Sequence, residues 1–334
     1  MTVGCPDAAM AVTEAPPRAR SRGSGAAVSA ATRHKPRPRT LQPVRSTTQL
    51  LLIARGTMQL SVLLALGGAS VAATAAFAAG GTPALSGVVA VFASVFAVYN
   101  FDRLADKSPA EGRSTPERRA LTQRWSTVLR VCVAASALLA LVLGASVSLA
   151  AFAWTIAFPL LGMLYALPLR AGGRIYRLKD VPYLKPFYVC ACWTELTAVS
   201  LSHSGLDATP AIVVFAVFVY PRFFISANLG DVRDVEDDAA AGIRSLPQRL
   251  GRNATLRLLE VVHWASAAGL LLAVASGVAP PAMLGLLVPT AVAYAIFRAY
   301  VRRPDRQAFF TDLYDLELVL YAPSWAIAAA LTTG

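Results

Sequence analysis

The chain has 334 residues, of which 56% are hydrophobic and only 15% charged, with a formal net charge of +12. Its mean hydropathy is +0.53. Soluble domains carry about 25% charged residues, so an ordinary soluble enzyme and a disordered scaffold are both excluded. The apolar residues gather in runs without a single Asp, Glu, Lys or Arg: Gly56 to Phe101, Val131 to Leu169, and Val261 to Phe297. A membrane-crossing helix needs about 20 such residues, so each run is long enough for two. The fold class this predicts is all-α, a polytopic membrane protein.

Taken in chain order, residues 1–46 form a tail of Pro, Ala, Ser and Arg that buries too little apolar surface to fold. Arg18, Arg20, Arg22, Arg33, Lys35, Arg37, Arg39 and Arg45 make it basic. It reads as a solvated cytoplasmic tail, with attraction to anionic headgroups or an organelle transit role as alternatives. It lacks an apolar h-region, so no secretory signal is expected. Residues 47–334 form the membrane domain. Gly and Pro mark turns between paired helices, which places nine spans near 56–79, 83–101, 127–144, 147–168, 186–203, 209–226, 257–277, 281–298 and 313–332.

With nine spans, 29 of the 31 Lys and Arg fall in the tail and in the connections 102–126, 169–185, 222–257 and 298–306, and Arg55 and Arg130 stand at span edges on that same side. Asp207 is the main charge on the other side. The positive-inside rule makes the basic side cytoplasmic, with the N-terminus inside and the C-terminus outside. A bacterial inner membrane is the expected location, with an organelle membrane as the alternative. The cysteines Cys5, Cys132, Cys190 and Cys192 form no CxxC pattern, and His34, His203 and His263 are scattered. The cysteines read as small apolar residues.

Two cytoplasmic connections carry clustered carboxylates beside helix ends. Asp102 and Asp106 are four apart and share a helix face. Asp231, Asp234 and Asp238 stand at i, i+3 and i+7, within about 60° of one another on a helix. Arg233 and Glu236 point elsewhere on that helix. Like charges at these spacings repel. Mg²⁺ held by one or two carboxylates, waters and substrate phosphate oxygens would relieve that repulsion. Two such stripes at one membrane face would grip a diphosphate, with Arg118, Arg177, Lys179 and Arg244 as basic partners. The plainer alternative is solvated acids at helix ends. Glu195 lies in mid-span, where an acid is a functional suspect. It would orient an acceptor, act as a base, or pack in protonated form.

The two motifs and the nine-span layout resemble the UbiA superfamily of intramembrane prenyltransferases. Asp102-x-x-x-Asp106 is similar to the end of that family's first NDxxDxxxD-type motif. Asp234-x-x-x-Asp238, followed by Gly242-Ile243-Arg244-Ser245-Leu246-Pro247, resembles its second motif closely. Tyr165-Ala-Leu-Pro168-Leu169 looks like its Tyr-x-x-Pro-Leu segment. The resemblance covers roughly residues 48–334. One departure stands out: the family's leading Asn and Asp fall at Val98 and Tyr99, and Asn100 is displaced by two. Either the local helix is distorted or the first metal site uses fewer ligands.

The resemblance implies Mg²⁺-dependent transfer of a prenyl group from a polyprenyl diphosphate to a hydrophobic or amphipathic acceptor, aromatic or lipid-like. Asp102, Asp106, Asp231, Asp234 and Asp238 would hold the metal, and Asn100, Tyr165 and Glu195 would line the substrate pocket. Tyr99, Phe101, Tyr176, Tyr183, Phe187 and Tyr188 are further aromatic candidates near the mouth. Membrane lipids are the other partners, and no nucleic acid is expected. A terpene cyclase of the same fold and a multi-span transporter are the alternatives. The transporter usually shows an internal repeat and broken mid-membrane helices, whereas the acids here gather at one interface.

Overall fold

Apolar runs punctuated by Gly and Pro fold as the sequence predicts, into helices that turn back on one another. In the computed structural model the described residues are Gly56, 60–105, 115–167, 169–171, 174–176, 178, 181, 183–240, 242 and 244–333. Asp106, Arg177 and Lys179 lie outside them, as does the tail.

Helices α1 (Val62–Ala78) and α2 (Leu85–Ala105) form the first pair. A short α3 (Pro116–Arg124) leads into α4 (Ser126–Val147) and α5 (Leu149–Ala166). The Ser148 side chain accepts a hydrogen bond from the Ala151 backbone, 3.0 Å, and so caps α5 where the chain reverses. A hairpin of two three-residue strands, β1 (Leu169–Ala171) and β2 (Arg174–Tyr176), pairs Leu169 with Tyr176, an addition to the all-α expectation. Then come α6 (Leu184–Ser204), α7 (Pro210–Arg233), α8 (Val235–Ala240), α9 (Leu246–Leu250) and α10 (Arg252–Ala275). A 3₁₀ turn, Pro281–Leu286, opens α11 (Leu287–Arg302). The last predicted span is broken into α12 (Gln307–Tyr314), α13 (Leu316–Val319) and α14 (Tyr321–Thr333).

Among the described residues, five helical segments are long and apolar enough to cross a membrane: 85–105, 126–147, 210–233, 252–275 and 281–302. Helices α1 and α5 are apolar but shorter. Helix α6 has the length, but Lys185, Glu195, His203 and several hydroxyls dilute its apolar character.

Helix α1 is built of Ala, Gly and Ser and packs against α2, α6, α13 and α14. Small residues let backbones approach, the packing a lipid-embedded bundle relies on. The closest approach is at Gly285: a Cβ there would lie 2.4 Å from the backbone oxygen of Ser324 on α14. By contrast α4 presents Val128, Val131, Leu138, Leu139 and Val142 outward, with Cys132 exposed among them.

A buried polar knot fastens the C-terminal helices. Arg222 on α7 is 1% exposed. Its Nε donates to Glu317 Oε1 at 2.6 Å and its Nη2 to Glu317 Oε2 at 2.9 Å. Nη1 donates to His263 Nδ1 at 2.8 Å, and Nη2 also to Tyr314 Oη at 3.1 Å. Tyr321 donates to Glu317 Oε1 at 3.2 Å. Arg222 falls in the overlap of the expected span 209–226 and the basic connection 222–257; the structure places it inside α7, which continues two turns past the expected end of that span.

Candidate active site

Two helix ends and one short segment build the mouth. Asp102 sits in the last turn of α2. Helix α7 runs on to Arg233, so Asp231 belongs to its final turn and is fully buried. Asp234 caps α7, and α8 carries Asp238. The hydrogen bonds Asp234 N–Gly230 O, 2.9 Å, and Asp238 N–Asp234 O, 2.8 Å, carry the helical spacing across that junction. The expected acidic stripe therefore survives a local break in the helix.

Each carboxylate has a distinct environment. Lys185, at the start of α6, donates from Nζ to Asp231 Oδ1 at 2.5 Å. Arg233 grips both oxygens of Asp234, at 2.7 and 2.5 Å. Burial, with Asp231 and Asp234 adding to it against Lys185 and Arg233, pushes the Asp238 carboxyl up to about 6. Asp231 Oδ2 and Asp238 Oδ2 are buried without a hydrogen-bond partner. Such oxygens are costly unless a cation or proton meets them. Among the described residues no three His, Cys, Asp or Glu side chains form a ready cage. Mg²⁺ asks for less, since phosphate oxygens and water complete its shell. The donor set fits that ion.

The acids converge on Tyr165, at the end of α5, whose phenol lies in the field of Lys185, Asp231, Asp102 and Asp238. Below it opens a cleft with about 520 Å³ of empty space, lined by Val98, Tyr99, Asp102, Phe158, Gly162, Tyr165, Tyr188, Val189, Cys192 and Trp193. Tyr165 and Tyr188 stack with ring centroids 5.3 Å apart. Trp193 Nε1 donates to Tyr99 Oη at 2.7 Å, and Tyr188 donates to Leu161 O at 2.7 Å. These bonds satisfy the polar tips of Trp193 and Tyr188. The wall is close-fitting at Gly162, where a Cβ would fall 2.6 Å from Val98 Cγ1. Among the described residues, Asp102 is the only carboxylate in the lining.

Other expected residues are placed differently. Helix α2 is unbroken through Val98 and Tyr99, so the local helix is not distorted there. Asn100 points away from the cleft, with its Nδ2 donating to Leu60 O at 3.0 Å and Phe96 O at 2.9 Å. Arg118 forms an ion pair with Asp312, joining α3 to α12. Asp315 accepts from Ser226 at 3.2 Å and acts electrostatically on Tyr99 together with Asp102. Arg244 is exposed, and its carbonyl accepts from Tyr183 N at 3.2 Å. Arg249 lies over the Tyr183 ring, 5.3 Å from its centroid. Glu195 lies outside the cleft lining, one turn beyond Cys192 on α6, with both carboxylate oxygens buried and unpartnered. Phe101 and Phe187 face outward. Sequence reasoning missed Lys185, Phe158, Gly162, Cys192 and Trp193. A lysine directly before the expected apolar stretch of α6 is the one signal that pointed to any of them.

Residues 61–313 match the model of the UbiA prenyltransferase family. No curated protein is similar enough to the chain to match it. The apo structure of a UbiA homologue from Aeropyrum pernix K1 is similar with a TM-score of 0.54 at 14% identity, covering 82% of this chain and 99% of that one. A UbiA homologue from Archaeoglobus fulgidus gives 0.53 at 15% identity, covering 83% and 99%. At such identities the likeness establishes the fold.

Proposed function

This chain belongs to the UbiA prenyltransferase family, and on that premise we propose that it transfers a prenyl group from a prenyl diphosphate to a hydrophobic or amphipathic acceptor, dependent on Mg²⁺. The observation that carries this reading is the join of an aromatic cleft to a carboxylate-rich mouth, with Asp102 at the seam. An isoprenoid tail needs the former and a metal-bound diphosphate the latter.

In this reading Asp231, Asp234, Asp238 and Asp102 hold the metal, with Asp106 continuing the first motif. When bound, Mg²⁺ neutralises charge on the departing diphosphate. Lys185 fixes the orientation of Asp231. Arg118, anchored by Asp312, and Arg177, Lys179 and Arg244 supply the remaining positive field around the leaving oxygens. The bond that breaks joins the allylic carbon to the diphosphate oxygen, and the new bond forms from that carbon to the acceptor. The rings of Tyr99, Tyr165, Tyr188 and Trp193 exclude water from the developing cation and offer it their faces. Glu195, its carboxyl unmatched deeper along α6, orients the acceptor or takes its proton. The membrane layout we infer keeps nine crossings, counting α1, α5, α6 and the broken α12–α14 with the five longer segments, and turns the basic mouth to the cytoplasm.

The test uses purified protein in nanodiscs and Mg²⁺-dependent diphosphate release from a panel of labelled allylic diphosphates, with a lipid and small-molecule extract as acceptor pool. Release that yields a prenylated product and is lost in Asp234→Ala and Asp238→Ala supports the proposal. A terpene or terpene alcohol as the product overturns the transferase reading in favour of a cyclase. No release from folded protein overturns an enzyme reading altogether.

A further inference from the structure

Away from the cleft, the outer face of α10 and α11 carries a graded series of side chains. Glu260 on α10 accepts from Tyr294 Oη at 2.6 Å and from Arg298 Nη1 at 3.1 Å, both on α11. Trp264, 53% exposed, meets the Tyr294 ring at 4.8 Å, and Arg298 lies over the other part of that ring at 6.0 Å. A shallow, solvent-open hollow along α11 is lined by Tyr294, Arg298, Arg302 and Arg303 with Ala295 and Ala299 between them. Tyr294, Arg298 and Arg302 are spaced by four residues and form one stripe along α11. On α10 the side chains beyond Trp264, away from the arginines, include exposed Leu271 and Leu272.

The order along the face is apolar wall, then indole and phenol, then guanidinium. That is the order of acyl chain, interface and headgroup in a leaflet. Its polar end lies on the same membrane side as the acidic mouth. Tyr300, one turn before Arg303, donates to Leu229 O on α7 at 2.9 Å and lies in the field of Arg233 and Asp234. Glu260 neutralises one guanidinium and leaves Arg302 and Arg303, both exposed, as net positive charge at the end of the hollow.

We infer that this hollow is a binding site for one anionic phospholipid, whose phosphate rests on Arg302, Arg303 and Arg298 while its chains lie along Trp264 and the apolar face of α10. A phosphate carries the charge the arginines lack. The apolar wall beneath them favours a lipid over free phosphate.

The experiment is native mass spectrometry of the full chain released from neutral detergent after exchange into phosphatidylcholine containing phosphatidylglycerol. One phosphatidylglycerol per chain is expected to persist after the phosphatidylcholine has left. Each surface arginine contributes about fivefold in affinity toward an anionic leaflet, so Arg302→Ala/Arg303→Ala should weaken retention roughly 25-fold. These two side chains are exposed, and an unchanged melting temperature confirms that the variant is folded. Arg18→Gln/Arg20→Gln/Arg22→Gln in the basic tail should leave the tightly held lipid in place. Displacement of that lipid by inorganic phosphate alone would identify the source as a free anion and overturn the lipid assignment. Equal retention of phosphatidylcholine, wild-type retention in Arg302→Ala/Arg303→Ala, or loss in the tail variant would each overturn it too. None of these outcomes depends on catalysis.

Discussion

Replacing Glu317 with leucine should be among the most damaging single changes in this chain. The substitution removes two charge-assisted hydrogen bonds from Arg222, 2.6 and 2.9 Å long, and strands a guanidinium that is 1% exposed. Breaking a buried pair by removing one partner costs about 3–5 kcal/mol. His263 Nδ1 and Tyr314 still accept from Arg222 but supply no charge. The reverse change, Arg222→Met, should be milder: an abandoned carboxyl can take up a proton, whereas a guanidinium cannot lose one. Restoring an apolar pair with Arg222→Met/Glu317→Leu should recover most of the loss, as buried ion pairs often can be replaced without net cost. The assay is thermal unfolding in nanodiscs. At about 2–4 °C per kcal/mol, Glu317→Leu should melt roughly 6–20 °C lower, with Arg222→Met between it and wild type. A double variant no more stable than Glu317→Leu would refute the stranded-charge argument.

Three further outcomes follow from the geometry. Gly285→Ala should destabilise by about 1–3 kcal/mol, because its Cβ meets backbone at 2.4 Å and not a side chain that can swing away; unfolding temperature checks this. Gly162→Leu should fill the cleft against Val98 and raise KM for longer prenyl diphosphates more than for the shortest, as read from diphosphate release across chain lengths. Mg²⁺ binding should weaken as pH falls through about 6, where the metal must displace a proton from Asp238. An ordinary aspartate would hold its affinity to a pH nearer 4. Calorimetric titration at several pH values in buffers of different ionisation enthalpy measures both the affinity and the proton released.

What the sequence made legible depended on whether a feature lies within one helix or between several. The uncharged runs and their Gly–Pro breaks located the apolar helices, because the bilayer imposes a length that the chain must meet, though α1 starts six residues after its expected edge and α7 ends seven past its own. The i, i+3, i+7 acids were legible for the same reason. The 3₁₀ opening of α11 and the breaks around Asp315 were not, and the hydrogen bond that Asp315 accepts comes from Ser226, 89 positions away on another helix. Lys185 and Asp231 are 46 positions apart, so no local spacing announces their bond. Arg222 stood in the overlap of a span and a basic connection, and a lone arginine near a span end looks interfacial until its partner 95 positions later is in view. The cleft wall was half legible: Tyr99, Tyr165 and Tyr188 were in reach, but Gly162 matters only through Val98 on a neighbouring helix.

The short turn that opens α6 has a mechanical role. Tyr183 binds the carbonyl of Arg244, and two residues later Lys185 binds Asp231, so the acidic segment 231–244 is pinned near both ends to one point of α6. It therefore travels with that helix. Bilayers that differ in thickness change the tilt of the helices that cross them. A thinner or thicker membrane that re-inclines α6 will carry Asp234 and Asp238 with it, relative to Asp102 on α2.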